Sequence, residues 1–120
     1  MRASCVLVVD PDPGATDIVS AALPGTVVHR VDSVYEALAH YEHHHVDVIV
    51  AERLLPGASA DELLRRLERA GYAVPVVMCS HRRTPMEHRH PFVVGAFTKP
   101  VDPDALRAVV LAATISAASA

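Results

Sequence analysis

Two hydrophobic patterns take turns along this chain: short unbroken apolar runs, and segments whose apolar residues recur every three or four positions. Ser4–Val9, Thr26–Val31, Val46–Ala51, Val74–Ser80 and Phe92–Thr98 are of the first kind. They are rich in Val and predict strands buried on both faces. Of the second kind, Ala15, Ile18, Val19 and Ala22 fit one face of a first helix. Val34, Ala37, Leu38 and Tyr41 fit a second, and Leu63, Leu64 and Leu67 a third over Ser59–Ala70.

The punctuation agrees with this division. Asp12 and Pro13 suit the start of the first helix, and Pro24-Gly25 its end. Asp32 or Ser33 caps the second helix, and Gly71 stops the third. Pro85 and Pro91 leave His81–Pro91 room for barely a turn or two, so a fourth helix is degraded. Asp102–Thr114 predicts the last helix, with Pro103 near its first turn. Strands and helices in strict alternation predict an α/β protein: a (βα)5 doubly wound sandwich on a five-stranded parallel sheet, with right-handed crossovers. No internal repeat or linker interrupts it, and residues 1–120 are expected to be a single domain of common size.

Composition narrows the function. Half of the residues are apolar (51%), enough for a core without metal or disulfide staples, and the formal net charge of −3 gives no basic footprint for nucleic acid. No apolar stretch approaches the roughly 20 residues that span a bilayer, and Val6–Val9 is too short for a signal peptide. A cytoplasmic protein is expected. Cys5 and Cys79 fall on strands expected to be separated by another, about 10 Å apart at roughly 4.8 Å per strand, too far for a disulfide. Both are expected to be buried free thiols. Lys99 is the sole lysine beside ten arginines.

The candidate chemistry gathers at the carboxyl ends of the strands, where an open α/β sheet binds its ligands. Asp10 and Asp12 follow the first strand, Glu52 closes the third before Pro56-Gly57, Ser80 ends the fourth and Lys99 follows the fifth. Acids, a hydroxyl and a lysine at one edge suit phosphoryl transfer to a carboxylate. There the acids hold Mg²⁺, and lysine and hydroxyl contact the product.

The segments Val-Leu-Val-Val-Asp (6–10), Asp-Val-Ile-Val-Ala-Glu-Arg-Leu-Leu-Pro-Gly (47–57), Pro-Val-Val-Met-Cys-Ser (75–80) and Thr-Lys-Pro (98–100) together resemble the receiver family of two-component response regulators. The resemblance covers essentially the whole chain. It implies a flavodoxin-like fold with strand order 2-1-3-4-5, Mg²⁺-dependent phosphorylation in a signalling relay, and a cis peptide before Pro100. It also implies that Glu52 occupies the phosphoacceptor position, that Asp10 and Asp12 form the acidic pocket, and that Ser80 and Lys99 contact phosphate.

The departures fall on those working parts. Position 11, where the family has its second acid, is Pro11. Asp12 either joins the pocket or caps the first helix. Glu52 carries its carboxylate about 1.5 Å further out than aspartate, either as a remnant paired with Lys99 or as a mimic of the phosphorylated state. The switch-aromatic position is Ala96, while Phe97 is expected to point into the core. The expectation is an atypical, non-enzymatic receiver that works by protein contact, independently of phosphorylation, with Mg²⁺ binding weak or lost and no other cofactor. A receiver still phosphorylated through an Asp12/Glu52 pocket is the alternative, and a metal- or pH-responsive regulator acting through the eight histidines is a second.

No tight zinc motif is visible among those histidines, so no metal site is expected, and His43–His45 and His81–His90 suit solvated loops. A flavin-binding reading of the same topology fails because Asp10-Pro11-Asp12-Pro13 offers phosphate carboxylates and few N–H donors. After Arg107 no charged residue follows. Leu106, Val109, Val110 and Ala113 can cover the sheet, leaving Ala108, Leu111, Ala112 and Ile115 for a protein partner or a second copy in a homodimer.

Overall fold

A computed structural model describes residues 4–81 and 90–119, with side chains in the last helix through residue 115. In chain order the elements are β1 (Cys5–Val9), α1 (Gly14–Ala22), β2 (Val27–Val31), α2 (Val34–His43), β3 (Val48–Glu52), β4 (Leu54–Leu55), β5 (Ala58–Ser59), α3 (Ala60–Arg69), β6 (Val76–Ser80), β7 (Val93–Thr98) and α4 (Pro103–Ser119). The five long strands form one parallel sheet in the order β2-β1-β3-β6-β7. This is the 2-1-3-4-5 order expected. The expected fourth helix falls on residues 82–89, outside the described residues.

Alternation along the strands divides the core in two. Leu7, Val9, Ile49, Ala51, Val76 and Met78 face α2 and α3. Val6, Val8, Val48, Val50, Val77 and Cys79 face α1 and α4. With both faces covered, the central strands must be apolar at every position, which is why they read as unbroken runs. The Ser33 hydroxyl accepts from Glu36 N–H and so caps α2, which selects between Asp32 and Ser33. Gly71 takes φ +81° beyond α3 and donates to Glu68 O, the stop expected there.

Four details differ from expectation. Leu54–Leu55 and Ala58–Ser59 pair as a small antiparallel ribbon around Pro56-Gly57, with Gly57 at φ +74°. Proline followed by a positive-φ glycine is the signature of a type II turn. Ile18 is 53% exposed rather than buried with Ala15 and Val19. Cys5 is only half-buried. The last helix runs on to Ser119, because Ala and Ser residues after Thr114 carry no stop signal.

Strand β7 is bent by a bulge. Val76 pairs with Val93 but Val77 pairs with Gly95, so Val94 is the extra residue. Gly95 and Phe97 thereby face α4, and Phe97 packs half-buried with Val101 and Val109 against the core there. Ala96 takes the other face and is exposed. A Cβ at Gly95 would lie 3.0 Å from Val109 Cγ1, so the missing side chain lets α4 approach the sheet.

Candidate functional site

The strand ends are tied together by backbone hydrogen bonds. Asp10 N donates to Val31 O (3.0 Å), Arg53 N to Cys79 O (2.8 Å) and Lys99 N to Ser80 O (2.7 Å). This lacing brings side chains from distant parts of the chain to one place. Asp10 and Glu52 follow Val8 and Val50 in the strand alternation, so both project toward α1 and α4. Lys99 enters from the loop after β7, just before the cis Lys99–Pro100 peptide.

Lys99 Nζ lies 2.7 Å from Asp10 Oδ2 and 3.2 Å from Glu52 Oε2. Asp10 and Glu52 are buried, at 5% and 8% exposure. Burial works against the charge on Lys99. The Asp10 hydrogen bond and the charges of both acids outweigh it and hold the ammonium above its ordinary value. The directed bond goes to Asp10. Glu52 Oε2 has the charge contact, but no hydrogen-bond partner among the described residues. The Lys99 contact is common to both readings of Glu52, the remnant and the mimic of the phosphorylated state.

Asp12 is used at the helix start. Pro11 and Pro13 have no N–H, so the donors left at the turn are those of Asp12 and Gly14. Each goes back to the aspartate two residues earlier: Asp12 N to Asp10 Oδ1 and Gly14 N to Asp12 Oδ1, both at 2.9 Å. These are successive Asx turns. Asp12 is exposed and stands at the rim of the site, so it caps the turn and also borders the pocket.

Ser80 is buried at the end of β6. Alternation places it with Met78, on the opposite face of the sheet from Cys79 and Glu52. Ala96 pairs with Met78 on that same opposite face. Of the five expected pocket residues, Asp10, Glu52 and Lys99 are brought together, Asp12 borders them and Ser80 lies one position past Glu52's register partner, Cys79.

Both oxygens of Asp10 are already engaged, by Lys99 and by Asp12 N–H. One oxygen of Asp12 is engaged by Gly14, and Pro11 offers none. Among the described residues no group of three or more His, Cys, Asp or Glu side chains is arranged to hold a metal ion.

Sequence reasoning missed what lies beneath this trio. A cavity of about 270 Å³ runs from Asp10, Glu52 and Lys99 down between α1 and α4. Its walls are Val8, Val50, Val19, Ala15 and Leu106, and Ile18 sits at its edge. Cys79 also lines it, and burial pushes that thiol up to about 12 against the pull of Lys99, so it is neutral. Exposure of Ile18 on an otherwise buried helix face is the local sign of the opening. A second missed feature is a stack of imidazoles on the other side: His40 lies 4.4 Å from His44 and 5.2 Å from His29, centroid to centroid.

The exposed side of α4 is as expected for the residues named there. Ala108 and Ala112 are exposed, Leu111 is 46% exposed and Ile115 is 64% exposed. Among the described residues, no helix is long and apolar enough to cross a membrane.

A doubly wound α/β protein with an acid just after β1, another closing β3, and a Lys-cis-Pro after β7 belongs to a recognisable class. The chain belongs to the response regulator receiver domain family, whose description matches residues 6–111. Among solved structures, it is similar to the signal receiver domain of an HD domain-containing protein from Pseudomonas fluorescens Pf-5 (17% identity, TM-score 0.86, covering 99% of this chain and 100% of that one). It is also similar to the chemotaxis response regulator CheY4 of Vibrio cholerae (22% identity, TM-score 0.77, 93% and 99%). A third is the Francisella response regulator 1452 receiver domain (22% identity, TM-score 0.82, 95% and 98%). No curated protein matches the sequence. At these identities the structural likeness establishes the fold, and the family match establishes the receiver domain of two-component signalling.

Proposed function

We propose that this receiver works by protein contact with Glu52 as a permanent carboxylate, without Mg²⁺-dependent phosphorylation. The observation that carries the reading is the Lys99 ammonium lodged between Asp10 and Glu52 at 2.7 and 3.2 Å. Phosphoryl transfer to a carboxylate needs positive charge on the phosphoryl oxygens as they approach. Here the cation is already committed to two acids, Pro11 removes a third metal ligand, and Asp10, Glu52 and Asp12 would repel an incoming phosphoryl group. The exposed Leu111 and Ile115 side of α4 supplies an apolar surface that suits a second copy of the chain. A cytoplasmic setting fits the free thiols.

The deciding experiment is incubation of the protein with Mg²⁺ and a small acyl-phosphate donor, followed by intact mass, beside an aspartate-bearing receiver as control. No adduct is expected on this chain while the control is labelled. A labile phosphate adduct on Glu52 or Asp12 would replace this reading with phosphorylation through an unusual acidic pocket.

A further inference from the structure

We propose that the cleft between α1 and α4 is a binding site for a small amphipathic ammonium compound, its apolar body in the cavity and its cationic head on Glu52. This goes beyond the reading above and rests on it only in requiring that Glu52 remain unmodified.

Three observations converge. The first is space. An apolar cavity of about 150 Å³ holds benzene, and this one measures about 270 Å³. It therefore has room for an aromatic ring and a short arm. The second is the wall chemistry. Val8, Val50, Val19 and Leu106 are almost fully buried and wall the apolar part of the cleft, while Ile18 forms an apolar edge at 53% exposure. An apolar body gains roughly 25 cal/mol for each Å² it removes from water there.

The third is the carboxylate at the mouth. Glu52 is more than nine-tenths buried and faces the cavity, and its Oε2 lacks a hydrogen-bond donor among the described residues. Lys99 approaches to 3.2 Å but directs its bond to Asp10. The Lys99 ammonium offsets part of the charge on Glu52, and a ligand N–H would add the directed bond that Oε2 lacks. Charge selects the head group. Asp10 and Glu52 carry two negative charges against one on Lys99, and Asp12 adds another at the rim. A carboxylate or phosphate head would meet this excess, whereas a primary ammonium completes it with charge-assisted bonds.

The test is titration of the ¹⁵N-labelled full chain with 2-phenylethylamine at neutral pH, with phenylacetate as an anionic probe of matching shape. Saturable shifts around Val8, Val19, Val50 and Leu106 are expected with the amine and not with the acid. Glu52→Gln keeps the shape and should weaken the amine by about tenfold, the worth of one charge-assisted contact. Ile18→Arg changes an exposed edge residue, spares the core and should also weaken it; the same spectra report whether each variant is folded. Absence of saturable shifts, equal binding of phenylacetate, or unchanged affinity in both folded variants would overturn the proposal. The phosphorylation reading is decided separately by mass, so either idea can fail without the other.

Discussion

Lys99 donates to Asp10 at 2.7 Å although 89 positions separate them in the chain, and the same ammonium stands 3.2 Å from Glu52. One cation thus serves two buried acids. Removing the cation and removing one acid should have unequal effects. Lys99→Met keeps the length of the side chain but strands both carboxylates, a loss of about 3 kcal/mol at neutral pH. Glu52→Gln leaves Lys99 paired with Asp10 and should stay within about 1 kcal/mol of the parent. The double variant should recover part of the Lys99→Met loss. Urea unfolding of the four proteins gives the cycle, and equal losses from the two single variants would mean that Lys99 stabilises the fold through Glu52 and not through Asp10.

The approach of α4 to the sheet depends on Gly95. A methyl there would meet Val109 Cγ1 at 3.0 Å, closer than ordinary van der Waals contact. Gly95→Ala should therefore cost about 1–3 kcal/mol through overpacking. Val109→Ala in the same chain should return much of that loss by vacating the space. If Gly95→Ala alone is neutral in thermal and urea melts, α4 yields at no cost and the contact does not hold it.

Much of the fold was legible because both faces of the sheet are covered. Burial on two sides forces unbroken Val-rich runs, and Pro-Gly and Gly71 mark where they must turn. The meeting of Asp10, Glu52 and Lys99 was legible because strand ends of a parallel sheet share an edge. What stayed hidden depends on tertiary geometry. Helical spacing put Ile18 with Ala15 and Val19 and could not reveal that the neighbouring surface is an opening. The ribbon of Leu54–Leu55 and Ala58–Ser59 is too short for alternation to register. His40 and His44 stand four apart and could have been paired from sequence, but His29 joins them only because β2 runs beside α2. The register shift at Val94 decides which way Ala96 and Phe97 face, and no composition rule predicts a bulge.

Cys79 makes stability fall at alkaline pH. Burial pushes its thiol from 9.0 up to about 12, so the fold keeps the proton that the unfolded chain gives up. Its contribution is complete below pH 9 and is lost as pH rises from 9 toward 12. Lys99, also raised, acts in the same direction above the ordinary lysine range. Cys79→Ala should flatten the decline from pH 9 upward, leaving only the part above the ordinary lysine range that is due to Lys99. Urea midpoints at pH 8, 9, 10 and 11 measure it, and an unchanged slope would mean that Cys79 ionises freely in the fold.

His40 acts at the other end of the scale. Burial lowers its affinity for a proton, and the neighbouring His44 and His29 lower it further. The unfolded chain then binds the proton more readily, so stability is present above the ordinary histidine value of 6.5 and falls as pH drops through it. His40→Gln should reduce the loss between pH 7 and 5, and 0.5 M salt should reduce it too by screening the His44 and His29 charges. A parent and variant with parallel midpoints over that interval would remove His40 from the acid response.

The exposed side of α4 yields the last expectation. Leu111 is 46% exposed and Ile115 64% exposed, on a helix that carries no charged residue after Arg107. Leu106 and Val110 anchor the opposite side in the core, so a charge at 111 leaves the fold intact. If this surface joins two copies, Leu111→Arg should give a folded monomer, because burying an unpaired guanidinium against its own symmetry mate costs several kcal/mol. Sedimentation over a hundredfold range of concentration compares the two proteins. A parent that stays monomeric throughout excludes the dimer. A parent dimer that survives Leu111→Arg unchanged moves the interface to another part of the surface.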